Sequence, residues 1–418
     1  MDRSVAIVCL TFLMSYLVRS KWFKKLVLSG KDVGLSLSRP NVNTPSFQLT
    51  KHLPDRFNSS EGCDLQSLRD VLNSLASYKV YESERNERLM TRVKLLGNDR
   101  IDALNKVGYL EKISQVQNSI SANATVAQRI IEYTLRTLQA ANPNEFTREV
   151  ADLASQSTGT NGNIGPDTHR VNEALSHLCR DYNNEFNGRE IQPIMRYIRE
   201  QLDTIETIHS SKTLVVVPGS GTGYIPFAIA EHYSEPHIDS IELSGLMYMC
   251  NSYMLDRDSA EQLSVRPFCQ LYSGQESATK QTQEYTIDFN ARRLENMDCL
   301  WGNFLEYMPQ RNQYDTIVVV TAYFIDTAAN MLEYIAQIES LRQYTKGKVH
   351  WINIGPLKYG THPLVQFTVE ELQQYIALQG WRQLNASVDR NATSGYLTNP
   401  NSLYQGHYGL YKFHTVLE

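Results

Sequence analysis

Val215-Val216-Val217-Pro218-Gly219-Ser220-Gly221-Thr222-Gly223 is the stretch on which the fold of this chain turns. A β-branched run reads as a buried strand, and it ends in a glycine turn. Ile225-Pro226-Phe227-Ala228-Ile229-Ala230 then reads as the start of a helix. Backbone N–H groups in such a strand–turn–helix unit can approach a nucleotide-like ligand closely, because glycine has no Cβ to hold it off. Nineteen residues beyond Gly223 lies Glu242, at the end of a second short strand, Ile238-Asp239-Ser240-Ile241. A carboxylate there can accept both hydroxyls of a ribose. The glycine pattern alone is weak; the strand before it and the acid after it strengthen it. The plainer reading is a glycine turn needed only for close helix–sheet packing.

From Thr213 onward strands and helices alternate, which predicts a mainly parallel sheet covered on both faces. Strands are expected at 213–217, 238–242, 297–301, 314–321 and 348–354, with a last pair near 381–389 and 407–416. Thr368-Val369-Glu370-Glu371 is a capping box that opens a helix ending at Gly380. Residues 257–295 are polar and over-long for a β–α–β link, so an insertion is expected there.

Upstream, Leu65, Leu68, Val71, Leu72 and Leu75 carry helical spacing, and residues 64–142 read as helical. Residues 143–168 hold Pro143, Gly159, Gly162, Gly165 and Pro166 and read as loop. Two helices follow, one over about 171–182 and one presenting Ile191, Ile194, Met195, Ile198, Leu202 and Ile205 on one face. Residues 28–62, rich in Ser, Pro and Asn, read as a linker. The expected division is an apolar segment and linker over 1–62, a helical region over 63–210, and a Rossmann-like domain over 211–418.

Residues 4–18 are mostly apolar and are followed by Arg19, Lys21, Lys24 and Lys25. The run falls short of the roughly 20 residues of a membrane span. It also lacks the charge order and cleavage site of a signal peptide. A weak membrane anchor with the rest of the chain in the cytosol is one reading; a dispensable extension is the other.

At 418 residues with a net charge of −5, the chain is an ordinary globular protein in composition, and its charge argues against general nucleic-acid binding. Cys9, Cys63, Cys179, Cys250, Cys269 and Cys299 show neither a CxxC pair nor zinc spacing to histidine, so no metal is expected. They read as scattered thiols of a reducing compartment, which sets the expected location as cytoplasmic, with the nucleus as a second compartment. The sequons at Asn58, Asn123, Asn385 and Asn391 speak against this but arise often by chance.

Ligands of doubly wound sheets lie beyond the carboxyl ends of the strands. Gly302-Asn303-Phe304 follows the third strand, where an amide and an aromatic can bond to and stack on adenine. Asp326 follows the fourth, as a holder of a cationic or N–H-bearing substrate or as the N-cap of a helix over 327–338. Asn353-Ile354-Gly355-Pro356-Leu357-Lys358-Tyr359 follows the fifth.

Together with Arg180-Asp181-Tyr182, Arg266-Pro267-Phe268, Phe324-Ile325-Asp326-Thr327-Ala328 and Trp351-Ile352-Asn353-Ile354-Gly355-Pro356-Leu357, these motifs resemble the carnosine N-methyltransferase family from about Leu65 to the C-terminus. The resemblance implies a Rossmann-like, seven-strand α/β methyltransferase fold with a helical N-terminal region. It implies methyl transfer from S-adenosylmethionine to an imidazole nitrogen of carnosine, giving anserine, or to a related His-containing dipeptide. For the cofactor it implies Arg180 at the methionine carboxylate, His177 where the family often has glutamine, Gly219 and Gly221 in the turn, and Glu242 at the ribose. Asn303 replaces an aspartate near the adenine, Phe304 is kept, and Ala322 stands where a cysteine is common. For the substrate it implies Asp326 and Tyr408. The family's Leu-Leu-Tyr-His is here Leu357-Lys358-Tyr359-Gly360, with His362 two residues on as the replacement imidazole. The implied partner is a small molecule or dipeptide; a homodimer is left open. The alternatives are a histidine methyltransferase acting on another peptide or protein, and a cofactor-binding relative without activity.

Overall fold

The computed structural model describes residues 65–141, 167–257, 262–289, 291–309, 314–360, 362–390 and 395–418. The apolar run at 4–18, the linker at 28–62, most of the loop at 143–168 and the sequons at Asn58 and Asn391 lie outside the described residues.

The large sheet has seven strands: β1 (Thr213–Pro218), β2 (His237–Glu242), β3 (Met297–Trp301), β4 (Tyr314–Ala322), β5 (Thr345–Gly355), β6 (Arg382–Asp389) and β7 (Leu410–Leu417). Their spatial order is β3-β2-β1-β4-β5-β7-β6. The first five run parallel, and β7 lies antiparallel between β5 and β6. All six residues of β1 are buried, as expected of a central strand covered on both faces. Order reverses at β1, so its carboxyl end faces the crevice between β2 and β4, where doubly wound sheets take ligands.

Helices α1 (Leu65–Lys94), α2 (Asn98–Lys106) and α3 (Tyr109–Ala141) precede the sheet. Leu68, Leu72 and Leu75 of α1 share one buried apolar cluster with Val116, Ile120 and Ile130 of α3 and with Val215 and Val217 of β1. The N-terminal helices thus pack onto the sheet side of the molecule. Helix α4 (Thr168–Tyr182) begins three residues before the expected start, because Asp167 caps it by accepting from the Arg170 N–H. After a five-residue π-helical segment at Asn187–Ile191 comes α5 (Gln192–Leu202).

Helices α6 (Tyr224–His232) and α7 (Gly245–Asp256) follow β1 and β2. The expected insertion carries a small antiparallel pair, Ser264–Val265 with Tyr285–Thr286. It is tied to α3 by Asn123, whose buried amide accepts from the Arg266 N–H at 2.8 Å and donates to the Arg266 carbonyl at 3.1 Å. That sequon is therefore used in packing. Helix α8 (Met331–Ser340) starts four residues later than the spacing suggests, capped by Asn330, so Asp326 is not its N-cap. Helix α9 (Val369–Leu378) has the capping box read from Thr368 and Glu371. The four described cysteines are buried and form no disulfide with one another.

Candidate active site

The glycine turn is built so that its backbone, not its side chains, faces the crevice. Gly219, Gly221 and Gly223 have φ of +64°, +59° and +90°, a region costly for other residues. At Gly219 a Cβ would lie 2.4 Å from the Phe324 ring, and at Gly223 one would lie 2.1 Å from Asn251 Oδ1. At Gly221 an added Cβ would meet open space, which is what a ligand cradle leaves.

A cavity of about 850 Å³ opens above this turn. His177, Arg180, Gly219, Gly221, Glu242, Asn303, Phe304 and Ala322 all line it, so the expected cofactor residues converge from the ends of β1, β2, β3 and β4 and from α4. Helix α1 supplies another wall through Ser67, Asp70, Val71 and Ser74.

Glu242 is buried, and each carboxylate oxygen takes one backbone donor. Oε2 accepts from the Gly221 N–H at 2.7 Å and Oε1 from the Ser244 N–H at 2.7 Å. Burial pushes its pKa up to about 7 against the pull of these N–H groups.

Arg180 is held by its neighbour. Its Nε donates to Asp181 Oδ1 at 2.7 Å, and the Thr222 hydroxyl donates to Asp181 Oδ2 at 2.5 Å. Tyr182 adds a bond from its hydroxyl to the Thr222 carbonyl at 2.8 Å. The Arg-Asp-Tyr triplet therefore locks α4 to the glycine turn. Burial disfavours the guanidinium charge, yet the Asp181 carboxylate holds its pKa above the ordinary arginine value. His177 is held neutral, well below the usual histidine range, first by burial and then by Arg180. Its Nε2 lies 3.3 Å from the Tyr396 hydroxyl, while among the described residues its buried Nδ1 has no partner. A buried polar atom without a partner in a cavity wall is one that a bound ligand can satisfy.

The substrate candidates Asp326, Tyr408 and His362 are not among the residues that line the cavity. Tyr323 stacks on Tyr396 at 5.1 Å and meets Tyr408 edge-on at 6.4 Å; Tyr323 and Tyr396 line the cavity. Tyr323 has a φ of +51°, and its N–H donates to the Ile354 carbonyl; Gly355 allows this approach, since a Cβ there would lie 3.0 Å from the Tyr323 nitrogen. Asp326 is buried and does not line the cavity; its Oδ2 accepts from the Lys358 N–H at 2.9 Å. Burial raises its pKa. Lys358 Nζ donates to the Tyr408 hydroxyl at 2.7 Å, so Asp326, Lys358 and Tyr408 form one connected group. His362 is exposed, has a φ of +62° and is not among the cavity residues. A Cβ on Gly360 would meet nothing within 4 Å.

Four contributors were not read from the sequence. Asp181 and Thr222 brace Arg180, and Asp181 sits inside a motif already singled out. Tyr396 is placed by Glu190 of the π-helical segment, which accepts the Leu397 and Thr398 N–H groups at 2.8 and 3.0 Å. Tyr323 leaves only its position after a strand as a signal.

The carnosine N-methyltransferase family profile matches residues 161–418. An uncharacterized Saccharomyces cerevisiae protein is 34% identical, with 99% of this chain and 97% of that protein aligned. A Schizosaccharomyces pombe carnosine N-methyltransferase is 24% identical over 82% of this chain and 95% of its own. The Rattus norvegicus carnosine N-methyltransferase is 25% identical, with 59% of this chain and 64% of that protein aligned. Among solved structures, a SAM-dependent methyltransferase from Aquifex aeolicus matches 58% of this chain and 98% of its own at 11% identity and a TM-score of 0.35. The profile spans well over half of the chain. The chain therefore belongs to the carnosine N-methyltransferase family and is an S-adenosylmethionine-dependent methyltransferase.

Proposed function

We propose that this protein methylates an imidazole nitrogen of carnosine, giving anserine, or of a related His-containing dipeptide. The observation that carries the reading is the cavity itself: every cofactor position expected from the family lines it, on a chain whose family profile is that of carnosine N-methyltransferase.

S-adenosylmethionine, when bound, supplies a sulfonium methyl that is already activated. In this reading Arg180, fixed by Asp181, holds the methionine carboxylate, and Glu242 takes the ribose hydroxyls. Phe304 and Asn303 flank the adenine, and the orphaned His177 Nδ1 finds a partner in the ligand. Little more is needed than in-line placement of a neutral imidazole nitrogen, which can supply most of the rate. Tyr323 and Tyr396 line the cavity with aromatic rings that can pack against an imidazole, and Tyr408 meets Tyr323 edge-on. Asp326 sets the loop after β5 through the Lys358 N–H and biases the tautomer of a nearby imidazole by its charge.

A second reading has its own observation. Where the family has Leu-Leu-Tyr-His, this chain puts a cation at Lys358 and open space at Gly360. That pairing favours histidine in another peptide or protein, with an anionic group meeting Lys358.

The test is incubation with radiolabelled S-adenosylmethionine and a panel of carnosine, homocarnosine and His-containing peptides. Label on the imidazole of carnosine or homocarnosine supports the first reading. Label only on longer peptides supports the second. Tight binding of the donor with no transfer to any imidazole sinks both and leaves a binding protein without this activity.

A further inference from the structure

At the amino ends of β2 and β3, the opposite end of these strands from the cavity, three metal-ligating side chains converge. His237 and Asp239 share a face of β2 because side chains alternate along a strand. Parallel pairing sets Asp298 of β3 directly beside Asp239. His237 Nε2 lies 3.2 Å from Asp239 Oδ1 and 3.1 Å from Asp298 Oδ2, and the three donor atoms lie within 4.8 Å of one another.

One imidazole nitrogen faces both carboxylates. The one N–H at Nε2 is directed to Asp298 Oδ2. Asp239 is 3% exposed; its Oδ2 accepts from the Tyr307 hydroxyl at 2.5 Å, while its Oδ1 has the 3.2 Å contact with His237 Nε2 but no well-aligned hydrogen bond among the described residues. A buried carboxylate oxygen left so is costly, and a cation at the point of convergence satisfies it. The spacing suits one: ligands bound at about 2.0–2.2 Å in tetrahedral or octahedral geometry stand roughly 3.0–3.5 Å apart. Tyr307 supplies the outer contact that orients a ligating carboxylate. The side chains of His237 and Asp298 are 17% and 25% exposed, so an ion and its waters have a way in.

We propose that His237, Asp239 and Asp298 bind a divalent transition-metal cation of the zinc class, which clips the edge strand β3 to β2. One imidazole with two carboxylates suits Zn²⁺, Mn²⁺ or Co²⁺ over Ca²⁺, which takes oxygen ligands alone. The clip acts on the strand whose far end carries Asn303 and Phe304 into the cavity. Pattern reading passed over it because its members come from two strands and include no cysteine.

The test uses the full chain, treated with chelator and then titrated with Zn²⁺ in a calorimeter. One ion per chain at micromolar affinity is expected, with a rise in Tm. Asp298→Asn and His237→Gln should each weaken binding roughly 100-fold and abolish that rise, since each removes a ligand. Co²⁺ in the wild type reads the ligands directly if either variant folds poorly: nitrogen–oxygen d–d bands without a thiolate charge-transfer band are expected. No binding below about 1 mM, variants that bind as the wild type does, or a thiolate band would each overturn the proposal. His237 would then be a protonated imidazole held between two carboxylates.

Discussion

In the proposed reading Glu242 sets both donor affinity and its pH dependence. Its carboxylate is buried, with one N–H on each oxygen, and its pKa lies near 7. Charge-assisted bonds to ribose hydroxyls favour the ionised form, so donor binding should tighten as pH rises through about 7 and release a proton below it. The sign for stability is opposite. The folded pKa lies above the unfolded value near 4.5, so the unliganded protein should lose about 3 kcal/mol as pH rises from 4.5 to 7. Glu242→Gln should lack both trends and weaken donor binding by about 1.5–3 kcal/mol. Calorimetric titration at about pH 6 and 8 checks this. An unchanged Kd in the variant removes Glu242 from the site.

Asp326 belongs to the scale of elements, because it joins the end of β4 to the loop after β5 through the Lys358 N–H. The capping role left open by the sequence falls to Asn330. Two roles remain separable by one substitution. Asp326→Asn keeps an oxygen to accept the N–H but removes the charge. If the charge meets the substrate's ammonium or imidazole N–H, kcat/KM should fall on the order of tenfold to a hundredfold while donor affinity holds. Wild-type kcat/KM in this variant would leave Asp326 as a tie between two loops. His362→Ala is the companion at the same loop. His362 is exposed and outside the cavity wall, so this variant asks whether the family's imidazole has moved by two residues or is dispensed with.

At the scale of the whole molecule, the cavity draws on residues from Ser67 of α1 to Tyr396 before β7. The helical N-terminal region is therefore part of the site. Truncations at the two ends of that region should differ. Removing residues 1–25 should leave donor binding and transfer intact, because the family profile covers residues 161–418 and, among the described residues, the cavity wall starts at Ser67. Continuing the deletion through α1 should abolish donor binding, because Ser67, Asp70, Val71 and Ser74 go with it and Leu68, Leu72 and Leu75 leave the core. Equilibrium binding of the donor checks both. Loss of binding in the short truncation would place part of the site in the first 25 residues. Fractionation of the same pair tests the anchoring read from residues 4–18. Among the described residues no helix is long and apolar enough to cross a membrane.

The sequence by itself determined the strand–glycine–helix unit at 213–232, the acid at Glu242, all seven strands to within a few residues, and the capping box at Thr368. These are local: β-branched runs, helical spacing and turn chemistry act over a few neighbours and leave a readable pattern. Arg180, Asn303 and Phe304 were legible as well, because each lies in a short motif at the end of an element. Only the tertiary structure decided which distant residues share a wall. Tyr396 reaches the cavity because Glu190, buried some two hundred positions earlier, accepts the N–H groups of Leu397 and Thr398. Tyr323 packs its backbone against β5 in a left-handed conformation because Gly355 makes room for it. His237, Asp239 and Asp298 meet because parallel register sets β3 beside β2. Such meetings depend on burial and on contacts across the chain, which spacing along one segment does not encode.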